Sequence, residues 1–115
     1  MGNVMASLSE SLLLAKNSSG ITENDLIDVL LQGALNSPIV KAKAPNMVKK
    51  NFDPNFPLEH QEKDLKLAVE LAKDNGVSLP VTEKSLEQFR KVSEKREKDG
   101  ENGQIDMCGV CLAYE

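Results

Sequence analysis

Apolar residues recur every three or four positions along most of the chain, the spacing of one face of an α-helix. The first segment, Met1 to Lys16, carries apolar side chains over more than one stripe of a predicted helix. The stripe consists of Val4, Met5, Leu8, Leu12 and Ala15, and Leu13 and Leu14 widen it. So wide an apolar arc predicts a helix that is buried on more than one side.

Start and stop signals divide the next fifty residues into short helices. Asn17 to Gly20 reads as a turn, and Thr22 with Asp25 three residues later imitates a capping box. This spacing predicts a second helix over residues 23–32. Ser37 followed by Pro38 is a cap and first-turn proline, which predicts a third helix to about residue 44. Pro45 should break it, leaving a short helical turn before Lys50.

The longest predicted helix follows two prolines. Pro57 is placed as its first residue, and Asn75-Gly76 supplies a left-handed stop. Its apolar stripe is formed by Leu58, Leu65, Val69 and Ala72. A further helix should begin in the segment Val77 to Pro80. Its inner face would consist of Val81, Ser85, Leu86, Phe89 and Val92.

The apolar pattern fades beyond Val92. Residues 93–104 are charged and contain two glycines, which predicts a fraying helix end and an exposed linker. Residues 105–115 regain apolar character and predict a terminal helical turn, with Asp106 as its N-cap. No run reads as a strand. The 115 residues therefore predict a single all-α domain, an antiparallel helical arrangement with the first helix at its centre.

Charge and composition exclude several classes of function. The formal net charge is −4, and acidic and basic residues are interleaved. Binding to nucleic acid by bulk electrostatics needs a clustered basic surface, so it is not expected. A small basic group, Lys41, Lys43, Lys49 and Lys50, is expected to be solvated. No segment resembles a membrane span or a secretory leader, which favours a cytoplasmic protein.

A second face of the longest helix carries the candidate chemistry. His60, Lys63, Asp64 and Leu67 are three or four residues apart, close to the aromatic Phe56. Spacing alone leaves two interpretations open: a solvated helix face with a local ion pair, or the wall of a binding site. His60 is interpreted as a hydrogen-bonding packing residue rather than a catalytic base.

Cys108 and Cys111 form a C-x-x-C pair near the end of the chain. A redox pair of this spacing follows a strand and precedes a helix, and only four residues follow Cys111. A zinc site needs about four ligands, and only the distant His60 could join the two cysteines. We therefore expect two buried, reduced cysteines and no metal site.

The string FPLEHQEKDLKLA, from Phe56 to Ala68, resembles a signature of the β-hydroxyacid dehydrogenases, F-P-L-x-H-x-x-K-D-L-x-L-A. The signature lies in their C-terminal helical domain, as in 6-phosphogluconate and 3-hydroxyisobutyrate dehydrogenases. Glyoxylate/succinic semialdehyde reductases and N-PAC-type nuclear homologues are the most similar branches. GNVMASLSESLLLAK and QGALNSPIVKAKAPNM also resemble family segments. The resemblance covers residues 2–92 well, and the cysteines depart from the family's closing D-M/F-S-A-V motif.

The resemblance implies hydride transfer between NAD or NADP and a small hydroxyacid or aldehyde. Phe56 would form an apolar wall of the substrate pocket, Asp64 would lie beside the substrate and orient the catalytic region, and Lys63 would contact the cofactor. The family's catalytic lysine would precede Gly2, and no G-x-G-x-x-G motif is present. No residue of this chain is therefore assigned as catalytic.

Two roles remain open for such a chain. It would be a fragment, inactive alone, that needs a separate Rossmann domain and forms homo-oligomers. In that case it is the substrate-side and oligomerisation domain of an oxidoreductase. The alternative is a non-catalytic oligomerisation module of an N-PAC-type protein, with a nuclear location.

Overall fold

The computed structural model describes residues 1–115 and consists of helices joined by short turns. The five α-helices are α1 (Gly2–Lys16), α2 (Glu23–Gln32), α3 (Pro38–Lys49), α4 (Leu58–Asp74) and α5 (Pro80–Lys98). A 3₁₀ helix over Met107–Tyr114 follows them. The only strand-like pairing is an isolated antiparallel bridge between Pro57 and Asp106. The predicted all-α class is confirmed.

Helix α1 lies at the centre and contacts every other helix, as predicted. Met5 is fully buried, and a side chain at Gly2 would approach Leu65 of α4 to 2.8 Å. The glycine thus allows α1 and α4 to come close together. The predicted apolar arc is buried only in part, because Val4 and Leu14 are exposed.

Local signals set the starts of α2 and α3 as predicted. The Thr22 hydroxyl accepts a hydrogen bond from the Asp25 amide at 3.1 Å, and the Thr22 amide donates to the Asp25 carboxylate at 2.7 Å. The Ser37 hydroxyl caps α3 by accepting from the Val40 amide. Helix α4 ends at a left-handed Gly76, with φ of 66°. It begins one residue later than predicted, with Pro57 as its N-cap.

Two helices run further than predicted. Helix α3 continues through Pro45 to Lys49, because the carbonyl that loses its partner belongs to the exposed Lys41 and can be solvated. Helix α5 continues six residues past Val92 to Lys98. Glutamate, lysine and arginine favour helix, and cations in a last turn interact well with the helix dipole. The first half of the predicted linker is therefore helical.

The terminal 3₁₀ helix is part of the hydrophobic core. Met107 and Val110 are buried with Leu58 and Phe89, and the segment contacts α1, α3, α4 and α5. The predicted N-cap is confirmed, since the Asp106 carboxylate accepts from the Cys108 amide at 3.0 Å. Residues at the end of the chain thus complete a core that the earlier helices leave open.

Candidate functional site

A cavity of about 300 Å³ lies where α1, α4 and the start of α5 meet. It is lined by Met1, Gly2, Asn3, Gln61, Asp64, Leu65, Ala68 and Thr82. The α4 residues among them are spaced three or four apart and so share one face of the helix. Of the three residues predicted to form a site, only Asp64 lines this cavity.

Lys63 and Asp64 form an ion pair at the edge of the cavity. The Lys63 ammonium lies 3.3 Å from Asp64 Oδ1, and the two side chains are 63% and 46% exposed. An exposed pair of this kind contributes at most about 1 kcal/mol to stability. Both groups are therefore accessible to a ligand, and the fold does not depend on them.

Phe56 lies at the other end of this stretch, before the start of α4. About 9 Å of helix axis separates Leu58 from Asp64, from a rise of 1.5 Å per residue. The half-buried Phe56 ring contacts the exposed His60 ring edge to face, with 6.1 Å between their centroids. The interpretation of His60 as a hydrogen-bonding packing residue is wrong, because its ring contacts only this aromatic neighbour at the surface.

Asp106 fixes the backbone that carries Phe56. Its Oδ2 accepts from the Phe56 amide at 3.1 Å, from the Asn55 amide at 3.0 Å and from the Lys43 ammonium at 2.6 Å. The Met107 amide in turn donates to the Phe56 carbonyl at 2.8 Å. Phe56 is thus held from both sides by the segment that begins the 3₁₀ helix.

Lys43 and Asp106 form a buried ion pair, with 7% and 1% of their surfaces exposed. The expectation that Lys43 belongs to a solvated basic group is wrong. Its ammonium is compensated by a carboxylate that also caps three backbone amides, which is the condition under which a buried charge is tolerated. Burial alone would raise the pKa of Asp106, but the hydrogen bonds from Lys43, Cys108 and Phe56 lower it to about 2.

This carboxylate should make stability depend on acid. Its pKa falls from 3.8 in the unfolded chain to about 2 in the folded protein, so its contribution is complete above pH 3.8 and is lost as the pH falls through 2. The loss amounts to about 2 kcal/mol in the free energy of unfolding. Urea unfolding at a series of pH values measures it, and Asp106→Asn is the control that should lack this component. Equal acid sensitivity of the two proteins would contradict the assignment.

The two cysteines are free thiols in the terminal helix. Burial and the neighbouring Asp106 carboxylate raise the pKa of Cys108 to about 12, and burial also raises the pKa of the half-buried Cys111. Thiolate is the reactive form, so both groups are poor nucleophiles at neutral pH. No cluster of three or more His, Cys, Asp or Glu residues that could hold a metal ion occurs in the chain.

Labelling of the cysteines should therefore require unfolding. Iodoacetamide at neutral pH is expected to leave Cys108 unmodified in the folded chain and to modify both thiols in concentrated urea. Mass spectrometry of the intact protein counts the adducts. Rapid modification of folded Cys108 would show that its environment is more open than the structure indicates.

A second, larger cavity of about 460 Å³ lies between α1 and α5 and is lined in part by Ser7, Glu10, Gln88 and Tyr114. It contains none of the predicted site residues. Size alone does not identify a site, and the smaller cavity brings together a carboxylate and two polar atoms without hydrogen-bonding partners. We therefore take the cavity beside Asp64 as the candidate site. None of the helices combines the length and apolar character of a membrane span.

Five helices around a central one, with a Phe, Lys and Asp along the fourth, define a helical domain of the NAD(P)-linked dehydrogenase class. Residues 1–108 match the family described as NAD-binding of NADP-dependent 3-hydroxyisobutyrate dehydrogenase. The chain belongs to this family.

Individual relatives agree with this assignment. Glyoxylate/succinic semialdehyde reductase 1 of Arabidopsis thaliana is 44% identical over 79% of the chain and 31% of its own length. Cytokine-like nuclear factor N-PAC of Drosophila melanogaster is 37% identical over 78% of the chain and 15% of its own length. The chain thus spans less than a third of these relatives. The crystal structure of a Salmonella typhimurium 3-hydroxyisobutyrate dehydrogenase superposes with a TM-score of 0.78 at 24% identity, covering 96% of the chain and 37% of that protein.

Sequence reasoning missed the two buried polar features of this region. The Lys43–Asp106 pair joins residues 63 positions apart, and periodicity gives no signal for such a contact. Gln61 was not considered because it lies between the two predicted faces of α4. A polar residue three positions before Asp64 and four before Leu65 was the available clue, since that spacing places it on the buried side.

Proposed function

We propose that the chain is the substrate-side domain of an NAD(P)-dependent β-hydroxyacid dehydrogenase or glyoxylate reductase. A nucleotide-binding domain would supply the catalytic lysine and most of the cofactor site. The observation that carries the proposal is that Asp64 and Gly2 line the same cavity. In the resembled enzymes the catalytic lysine lies one to two turns before the position of Gly2, on the same helix. Asp64 would then lie close to it.

The roles of the individual residues follow from their charge and exposure. NAD(P)H, when bound, supplies the hydride. The exposed Lys63 ammonium suits a carbonyl or phosphate oxygen at one edge of the cofactor, and Asp64 suits a charge-assisted hydrogen bond that orients the catalytic lysine. Phe56, held by the Asp106 hydrogen bonds, would present an apolar wall to the substrate. The helices fit one edge of a dinucleotide, because no glycine-rich turn after a strand is present to hold the pyrophosphate.

A chimeric protein tests this proposal. Residues 1–115 would be joined to the nucleotide-binding part of Arabidopsis glyoxylate/succinic semialdehyde reductase 1, including its catalytic lysine. We expect saturable NADPH oxidation with glyoxylate by the chimera and none by residues 1–115 alone. The control is a chimera with the catalytic lysine replaced by methionine. A folded chimera that binds NADPH and shows no turnover would contradict the enzymatic proposal and favour a non-catalytic module.

Self-association is a second proposed role, supported by exposed apolar side chains on α1 and α2. Leu14 is 71% exposed and Val29 is 64% exposed. Exposed apolar surface of more than a few hundred Å² commonly marks an interface. This property would serve either an enzyme or a non-catalytic module of the N-PAC type, and it fits a homo-oligomer.

Sedimentation measures this association directly. We expect dimers or larger species at micromolar protein, and Leu14→Glu should weaken them. The matched control is Lys66→Glu, a change of an exposed residue on α4 outside this apolar surface. A chain that remains monomeric and soluble would contradict the proposal.

A further inference from the structure

Two amide side chains in the cavity beside Asp64 have oxygen atoms without hydrogen-bonding partners. They are Asn3 Oδ1 and Gln61 Oε1, and no other buried side-chain nitrogen or oxygen of the chain lacks a partner. Gln61 is only 4% exposed. The Asn3 amide nitrogen donates to the Thr82 hydroxyl at 3.1 Å. We call the group formed by Asn3, Gln61 and Thr82 the amide niche.

Packing does not explain a glutamine at this position. The neighbouring residues of α4 in the cavity, Leu65 and Ala68, are apolar, and a leucine would fit the same helical face. A buried amide oxygen without a partner opposes folding, so native proteins keep few of them. Two such atoms in one cavity, next to a carboxylate, indicate that the niche is completed by a bound group.

The polar atoms left available in the cavity are acceptors. The Asn3 nitrogen is already engaged by Thr82, which leaves the Asn3 oxygen, the Gln61 oxygen and the Asp64 carboxylate. Lys63 contacts only Oδ1 of that carboxylate. An ammonium group carries three donors and no acceptor, so it matches this set in number, polarity and charge. A hydroxyl supplies one donor and a carboxylate none.

We propose that the amide niche and Asp64 form a binding site for the primary ammonium group of a small ligand. The two amide oxygens accept two of its hydrogen bonds, and Asp64 accepts the third and balances the charge. Hydrogen bonding to these acceptors, rather than net charge alone, selects the ligand. The site belongs to this chain and requires neither a nucleotide cofactor nor dehydrogenase activity.

Ethanolamine and choline separate the two contributions experimentally. Both carry one positive charge at neutral pH, and only ethanolamine has N–H donors. The chain labelled with ¹⁵N would be titrated with each compound while the side-chain amide resonances of Asn3 and Gln61 are followed by NMR. Millimolar affinity is expected for ethanolamine, given its few non-hydrogen atoms, and binding of choline should be at least about tenfold weaker.

Two leucine substitutions test the role of the niche. Gln61→Leu should weaken ethanolamine binding at least about tenfold and leave the melting temperature equal or higher, because it removes a buried oxygen that lacks a partner. Gln88→Leu, in the other cavity, should leave ethanolamine binding unchanged. Equal binding of ethanolamine and choline would mean simple attraction to Asp64 and would overturn the proposal. Unshifted amide resonances would mean a solvent-filled niche and would overturn it too, as would a marked fall in the melting temperature of Gln61→Leu.

Discussion

Asp106→Ala is expected to lower the free energy of unfolding by about 3–5 kcal/mol, the usual cost of removing one partner from a buried ion pair. The Lys43 ammonium would remain buried without its carboxylate. The amides of Asn55, Phe56 and Cys108 would lose their acceptor at the same time. This effect is a large share of the 5–15 kcal/mol that stabilises a typical domain, so the variant should be near the limit of folding.

Urea denaturation followed by circular dichroism measures this change. Asp64→Ala is the matched control, because its carboxylate pairs with a lysine at the surface and should cost no more than about 1 kcal/mol. Lys43→Met keeps the three amide hydrogen bonds and should fall between the two. An Asp106→Ala protein as stable as Asp64→Ala would show that the buried pair does not hold the fold together.

The second large effect is expected in the active chimera proposed above. Asp64→Ala should lower kcat by about 100-fold if the carboxylate orients the catalytic lysine, since misplacing a reacting group commonly has this cost. The fold should be unaffected, because Asp64 is half-exposed. Loss of kcat with intact stability is the pattern of a positioning residue, and steady-state kinetics with glyoxylate measures it.

Lys63→Ala in the same chimera should chiefly raise KM for NADPH, because its exposed ammonium is available to the cofactor. The matched control is Lys66→Ala, which removes an equally exposed lysine from α4 outside the cavity. Unchanged kinetics in both Asp64→Ala and Lys63→Ala would make this ion pair a surface feature and would refute the assignment of both residues. Unchanged kinetics in Lys66→Ala is required for the comparison to be specific.

Local signals in the sequence were sufficient for most helix starts. The Thr22 and Asp25 capping box and the Ser37 cap each act within three residues, so a short window contains all the information. The ends of α3 and α5 were less predictable. Pro45 is tolerated because Lys41 happens to be exposed, and α5 continues on helix propensity after its apolar stripe has ended.

The candidate site was predictable only in part, for a physical reason. Helical spacing placed Lys63 and Asp64 on one helix, and resemblance to a family supplied their roles. The cavity depends on α1 and α5, which contribute Asn3 and Thr82 from 79 positions apart. The buried pair of Lys43 and Asp106 is likewise formed by distant segments. Contacts of this kind arise from tertiary packing, which no local pattern encodes.

The position of Asp106 also has a consequence for the order of events during synthesis. A ribosome adds residues from the N-terminus at about 5–20 per second, so Asn55 and Phe56 exist for several seconds before Asp106 is made. During this interval Lys43 has no counter-charge, and the loop before α4 lacks the acceptor for its amides. The nascent chain can form its helices, but it cannot close its interior. The wall that carries Phe56 is therefore among the last parts of the domain to become ordered.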